Sequence, residues 1–581
     1  MSKSTKINRL VINATIFIVY ILISLAYFGF PTLNSPQTRY VGMNADPTLF
    51  IWFIEWWPFA IIHHLNPFVT TYMWAPEGVK NLLWLNAIPG LSIIFSPLTV
   101  LIGPVFTYNV IALLSPALSA FFAYILIKYI TKNTAASAIS AYIYGFSSYI
   151  MWNADLNVLF ICLIPLLIYL FLLKYDDKIN NVLYIIISAA ILALEFLISP
   201  EIYLIILFIA IISILIYIVY LKKIEYLSKF IINSSYFILS YVLSIALISP
   251  FLFIMLESVS KSPKYPMNPI SCSTYAINFI LPAPVILFGG KLFYEIFHFH
   301  IRETASYIGL PIFIMLILFA YEQWKKKSKF FTGKYLLTLL SVILIFSLGP
   351  FLHLNGNNTN IPLPWYIFYK MPLIGKAIPI RFMLFAFLIL SIIAGLWISS
   401  PNSSSTINKT TKYTILFLAI ISFIPTQYYF DSNSHMPRFF YKKEYKRYIK
   451  ENSNVLIIPF SNSGYSLVYQ AYTKNYLKLA GGYNDITFIP SSYSNSLIFK
   501  HLTYNKKFRN INLKKNLKTA NLFKKFLLYH KINYILVVRG RDAYIPGYGS
   551  YHPFKRFKNI LNTLNIKPVK KGGILLYKII K

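Results

Sequence analysis

Apolar residues in this chain gather into long unbroken runs joined by short polar connections, not into the alternating pattern of a half-buried strand. Runs of about 20 residues cross a hydrocarbon layer roughly 30 Å thick at 1.5 Å per residue. Eleven spans are expected, near residues 10–30, 105–127, 134–152, 156–173, 181–199, 202–221, 230–256, 306–322, 335–353, 380–399 and 412–428. The stretch 82–103 is apolar but interrupted by Pro89 and Pro97, and it reads as a membrane-surface or re-entrant segment. After residue 428 the runs shorten to 455–459, 534–538 and 574–577, with helical patterns at 518–530 and 554–565 between them. The expected architecture is a polytopic α-helical membrane protein with about 11 transmembrane helices in residues 1–428, followed by a C-terminal outer α/β domain in residues 429–581.

Composition supports the membrane class: 57% of the 581 residues are hydrophobic and the mean hydropathy is +0.59, more than one soluble core buries. Charge then orients the chain. Lysine and arginine crowd alternate connections: Lys3, Lys6 and Arg9; Lys128 and Lys132; Lys174 and Lys178; Lys222, Lys223 and Lys229; Lys325, Lys326, Lys327 and Lys329; Lys409 and Lys412. The positive-inside rule makes these cytoplasmic, which puts the N-terminus inside and the C-terminal domain outside the plasma membrane. The outer connections are then 31–104, 153–155, 200–201, 257–305 and 354–379, the first carrying surface helices. Cys162 lies in a span and Cys272 in a loop, so no disulfide framework is expected.

The chain has only 18 acidic residues against 54 basic ones, so acids beside a bilayer are informative. Asp46 and Glu55 sit in the first outer loop, Asp155 in the second and Glu201 in the third, with Lys376 and Arg381 at the mouth of the tenth span. Each also has a plain structural reading. Asp46-Pro47 fits a helix start with the carboxylate at the N-cap; Glu55 among Trp52, Trp56 and Trp57 fits an interfacial anchor; Asp155 fits a turn; Glu201 after Pro200 fits a helix dipole. Together they fit a polar cavity at the outer face, with the two cations placed to hold a phosphate. His63-His64 and His298-Phe299-His300 lack a further ligand at a recognisable spacing, and there is no phosphate-binding glycine loop or nucleophile elbow.

The loop Gly42-Met-Asn-Ala-Asp46, the helix Phe50-Ile-Trp-Phe-Ile-Glu-Trp-Trp57, Trp74-Ala-Pro-Glu77-Gly, Tyr144-Gly-Phe-Ser-Ser-Tyr149, Phe196-Leu-Ile-Ser-Pro-Glu201 and Pro379-Ile-Arg381-Phe form a pattern. With one span before a long acidic outer loop and many spans after it, the chain resembles the C-type glycosyltransferase superfamily, in its uncharacterised bacterial and archaeal branch, over roughly residues 10–400. The resemblance implies transfer of a sugar from a polyprenyl-phosphate carrier to a glycan, lipid or protein acceptor at the outer face. It implies Asp46 as the base and Asp155 as a second acid that orients the acceptor or a divalent cation, Mg or Mn, with Asp46 and Asp155 as its ligands. Arg381 would hold the carrier phosphate. Pro47 follows Asp46 where many relatives have a second acid, and Ala377 stands where some have arginine.

The residues fit that chemistry on their own terms. A lipid-linked sugar phosphate is already activated, so the enzyme supplies a base for the acceptor, a cation for the leaving phosphate and a dry pocket. Glu55, Trp56, Trp57, Glu201 and Lys376 are the further candidates for holding substrate or carrier. The C-terminal domain carries 28 Lys/Arg against 5 Asp/Glu, a net of +23, which suits anionic lipid headgroups or an acidic glycan and not, outside a membrane, nucleic acid. It shows no catalytic constellation. A transporter or flippase of a lipid-linked or anionic substrate, and a non-catalytic assembly protein, are the alternatives; the candidate acids lie at span ends and no internal repeat is visible, which favours the enzyme.

Overall fold

The computed structural model describes residues 3–43, 45–220, 224–257, 269–282, 284–297, 305–325, 332–354, 357–371, 375, 377–401, 407–426, 432, 434, 436–485, 488–503, 517–540, 543–545, 561 and 566–579. Lys376, His298 and His300 lie outside them. The chain forms two compact units, one of Met1–Phe30, Ala112–Pro250 and Met267–Tyr428, the other of Pro31–Ile111, Phe251–Pro266 and Tyr429–Lys581.

The first unit is a helical bundle of a membrane protein. Among the described residues seven helices are long and apolar enough to cross a bilayer: Ile7–Thr32, Pro104–Thr131, Leu156–Tyr175, Asn181–Ile198, Pro200–Tyr220, Leu227–Glu257 and Pro379–Ser399. Four of the eleven expected spans are shorter as helices. Leu310–Lys325 and Thr332–Ser347 have 16 residues each and Lys409–Ser422 has 14. The expected span 134–152 breaks in two, because Ser147 accepts from the Ile150 amide and caps a new helix, Ser148–Trp152, after Thr134–Gly145 has ended.

The helix Met383–Ser399 is apolar all round, and all of Met383–Gly395 is buried at the centre of the bundle. It packs on Thr134–Gly145. Small residues bring both helices close to Pro104–Thr131: a Cβ at Gly395 would stand 2.4 Å from Ile127 Cγ2, and one at Gly145 would stand 2.5 Å from Ala120 Cβ and 2.7 Å from the Pro116 carbonyl oxygen. At the other end Lys412 is buried, donating to the Trp397 carbonyl and Ser400 Oγ at 2.7 Å each, with Glu322 at 3.8 Å. A lysine that reads in the sequence as a cytoplasmic surface charge is thus a clamp inside the bundle.

The second unit is built on a five-stranded sheet in the order Lys478–Leu479, Asn454–Ile458, Tyr534–Val538, Ile574–Lys578, Val569–Lys571. The first three strands pair in parallel, and Ile574–Lys578 pairs antiparallel with both of its neighbours. The tryptophan helix does not lie at the surface as expected. Asp46–Ile62 is a core helix whose residues from Pro47 to Pro58 are all buried, and it packs on Ser466–Tyr472. Its mean polarity explains this, since one acid in mid-helix leaves no polar face to turn to solvent. The segment 82–103 forms two short helices, Pro89–Ile94 and Ser96–Ile102, too short to cross a bilayer, and they expose Ile93, Ile94, Val100 and Leu101.

The close helix crossing is testable. Gly145→Ala forces Cβ against backbone atoms of Pro104–Thr131, and overpacking of this kind costs about 1–3 kcal/mol. The thermal midpoint of the detergent-solubilised variant should fall by several degrees, whereas an unchanged midpoint would show that the helices have room to part.

Candidate functional site

In the second unit the first outer loop is knitted to the sheet. The Trp74 amide donates to the Gly481 carbonyl at 2.7 Å, the Ala75 amide to Leu479 at 2.8 Å, and the Leu479 amide to Tyr72 at 2.8 Å. Gln470 completes the seam, accepting from Trp52 Nε1 at 2.8 Å and donating to the Tyr72 carbonyl at 2.8 Å. The loop that follows, Gly481-Gly482-Tyr483, is pinned from below: Ser461 Oγ donates to the Gly482 carbonyl and Asn462 Oδ1 accepts from the Asn484 amide. A Cβ at Gly482 would meet Trp74 Nε1 at 2.7 Å, so the position takes glycine.

The result is a contact absent from the sequence reading: the Tyr483 hydroxyl donates to Asp46 Oδ1. Asp46 is half-buried and is the first residue of its helix, with Ala45 at the N-cap position and Pro47 in the first turn. The carboxylate expected to cap the helix is held instead by a phenol of the C-terminal region. Tyr40 lies in the same surroundings, fully buried, its ring edge-on to Tyr108 and Tyr465 at 6.1 and 6.2 Å. Burial first, then the neighbouring tyrosines and Asp46, push its phenol well above the ordinary range.

Trp56 and Trp57 have a different job from the one expected. Their indoles donate to the Pro67 and Ala87 carbonyls at 2.9 and 3.0 Å, Trp56 stacks on Trp52 at 5.1 Å, and both are almost fully buried. With donors and faces occupied, they pack the core and do not receive a substrate. Glu55 is buried beside them, and burial pushes its carboxyl up to about 8, with Lys474 pulling the other way. A neutral acid in a core is neither a headgroup anchor nor a carrier ligand.

In the first unit the chain brings together residues from four segments. Glu201, one residue into Pro200–Tyr220, accepts from the Ile378 amide at 2.8 Å through Oε1 and pairs with Arg381 through Oε2. Both oxygens are engaged, so Glu201 fixes the turn Pro379–Phe382 and the direction of the Arg381 guanidinium. Asp155 stands at the N-cap position of Leu156–Leu159 without capping it. Tyr149 feels the charges of Arg381, Glu201 and Asp155 together. Sequence reasoning passed over Tyr149 and Tyr483; the first closes the quoted Tyr144–Tyr149 motif, and the second carries no signal beyond the preceding glycine pair.

A model of the family described as Domain of unknown function (DUF6311) matches residues 16–373, more than half of the chain. The chain belongs to that family. Among solved structures it is similar to the arabinofuranosyltransferase AftD from Mycobacteria, at 12% identity and a TM-score of 0.55 over 98% of this chain. It spans 40% of the length of that chain. The oligosaccharyltransferase AglB from Archaeoglobus fulgidus, solved with an inhibitory peptide and a dolichol-phosphate, aligns over 90% of this chain and 69% of its own at 12% identity and a TM-score of 0.46. ArnT from Cupriavidus metallidurans, bound to undecaprenyl phosphate, aligns over 98% of both chains at 9% identity and a TM-score of 0.46. No curated protein sequence matches the chain. The fold is that of the C-type glycosyltransferases. The DUF6311 match takes in Asp46, Asp155 and Glu201 and stops short of Arg381 and Tyr483.

Among the described residues no three of His, Cys, Asp and Glu gather as a metal site, and Asp46 and Asp155 belong to different units. The side chains described do not form a Mg or Mn cage. His63 turns its Nδ1 to the Phe59 carbonyl at 2.8 Å on the surface.

Glu55 provides a pH test. An acid whose folded pKa of about 8 lies above its ordinary value of 4.5 contributes stability in full below pH 4.5 and loses it as the pH rises through 8. Unfolding midpoints of the wild type should therefore fall between pH 5 and 9 for this group, while Glu55→Gln removes that slope and is the more stable protein above pH 8, by on the order of 2–4 kcal/mol. Equal slopes for the two proteins would mean that Glu55 stays ionised in the fold.

Proposed function

We propose that the protein is a glycosyltransferase of the outer face of the plasma membrane, moving a sugar from a polyprenyl-phosphate carrier to a hydroxyl of a glycan, lipid or protein. The observation that carries the reading is Asp46: a carboxylate at the head of a buried helix, oriented by the Tyr483 hydroxyl, in a chain with this fold.

In this reading Asp46 takes the proton of the acceptor hydroxyl as its oxygen bonds to the anomeric carbon. The bond from that carbon to the phosphate oxygen breaks, its electron pair leaves with the phosphate, and polyprenyl phosphate is released. Arg381 meets the charge that develops on the phosphate, and Glu201 keeps its guanidinium aimed. Tyr483 donates to Oδ1 of Asp46 and holds the carboxylate in place for that proton transfer. Asp155 orients the acceptor. With the N-terminus cytoplasmic, the basic C-terminal region faces the outer leaflet and its anionic headgroups.

The test is complementation of a deletion strain with single variants, read by mass spectrometry of lipid-linked and surface glycans. Loss of a general base removes about 10²–10⁴-fold in rate, so Asp46→Asn should leave the product missing at normal protein level. Tyr483→Phe should lower it about tenfold or more, the range expected when a hydrogen bond to a charged group worth roughly 1.5–3 kcal/mol is removed. Normal product from a folded Asp46→Asn protein would remove Asp46 as the base.

A further inference from the structure

The first unit contains an apolar cavity of about 410 Å³ on which Ile168, Phe171, Ile206, Ala210, Phe385 and Ile389 close from three spanning helices. Interiors are close-packed, and a void this size is rare unless something fills it. An apolar cavity of roughly 150 Å³ stays dry and takes up one benzene. Scaled by volume, this one holds roughly sixteen carbons, a fatty-acyl length. A helix is about 10 Å across with its side chains and is too wide to enter.

One end of the cavity is marked by charge. Ile130, Tyr175, Tyr217, Phe230 and Tyr335 line it, and each lies within a few residues of a basic connection. Lys229 Nζ stands 5.3 Å from the Tyr175 ring, and Lys174 Nζ 5.4 Å from the Tyr236 ring. Asp177 pairs with Lys229 at 2.7 Å and with Lys174 at 3.7 Å, and Asp176 with Lys178 at 3.2 Å. Lys132 Nζ, over the Tyr129 ring at 4.0 Å, adds a fourth lysine to the group, so four cations face two aspartates. The excess is positive, Lys174 is buried while Lys178 and Lys229 are exposed, and a cationic group at a bilayer edge attracts anionic headgroups.

We propose that this cavity binds one acyl chain of an anionic glycerophospholipid from the leaflet on the side of the basic loops, with its phosphate at Lys174, Lys178 and Lys229. The site is separate from the transfer chemistry, and neither donor nor acceptor enters it.

Native mass spectrometry of the detergent-solubilised full chain, offered phosphatidylglycerol, phosphatidylcholine and undecaprenyl phosphate in turn, tests this. One phosphatidylglycerol should be retained with at least tenfold preference over phosphatidylcholine. Ala210→Phe should cut retention at least tenfold, and the double change Lys174→Gln with Lys229→Gln should bring phosphatidylglycerol down to the phosphatidylcholine level. Independently of any variant, phosphatidylglycerol with a diazirine on its acyl chain should photolabel peptides from 163–175, 200–220 and 383–399 of the wild-type protein. Preference for undecaprenyl phosphate, equal retention of both phospholipids, or labelling confined to other helices would overturn the proposal.

Discussion

A carboxylate taken out of bulk water must be given a donor, a cation or a proton, because an ion buried without one costs more than a fold of marginal stability can supply. The acids of this chain show each solution. Asp46 has the Tyr483 hydroxyl; Glu201 has Arg381 and the Ile378 amide; Glu322 has Lys412; Glu77 accepts from Ser492 at 2.8 Å and lies 3.4 Å from His530. Glu55, buried outside the spans, takes the third course: burial pushes its carboxyl up to about 8, which favours the protonated form. Much of the tertiary structure follows from these pairings, since each ties residues that are far apart in sequence: 437 residues in the case of Tyr483 and Asp46, 180 for Arg381 and Glu201.

The fold was legible where one physical rule dominates. Hydrophobic runs located a helix in each expected span, because a bilayer admits little else, and the short apolar runs of the tail, 455–459, 534–538 and 574–577, coincide with strands. Legibility failed where two rules compete. Ser147 and Phe146 break the expected span 134–152, since a local cap there outweighs apolar continuity. Aromatic content misled in Asp46–Ile62: tryptophans mark bilayer interfaces and protein cores alike, and which one holds depends on the partner. Here the partner is Ser466–Tyr472, some 400 residues later, which no local pattern reveals.

The candidate residues divide in the same way. Glu201 and Arg381 were singled out by their place at span ends, and the fold joins them, with both carboxylate oxygens of Glu201 engaged by Arg381 and the Ile378 amide. Trp56 and Trp57 were singled out by type and prove to be packing. Tyr483 was invisible because its role depends on a sheet edge, a glycine pair and Trp74, each unremarkable alone. The C-terminal region, which carries no catalytic pattern of its own, contributes to the environment of the acid on which the functional reading rests.

Mass spectrometry of polyprenyl-phosphate carriers and envelope glycans from a strain lacking this protein tests that reading most directly. The account predicts that one polyprenyl-phosphate sugar accumulates while a glycan or glycolipid appears one residue short. Carriers and glycans identical to those of the parent strain, under conditions in which the protein is normally made, would contradict it.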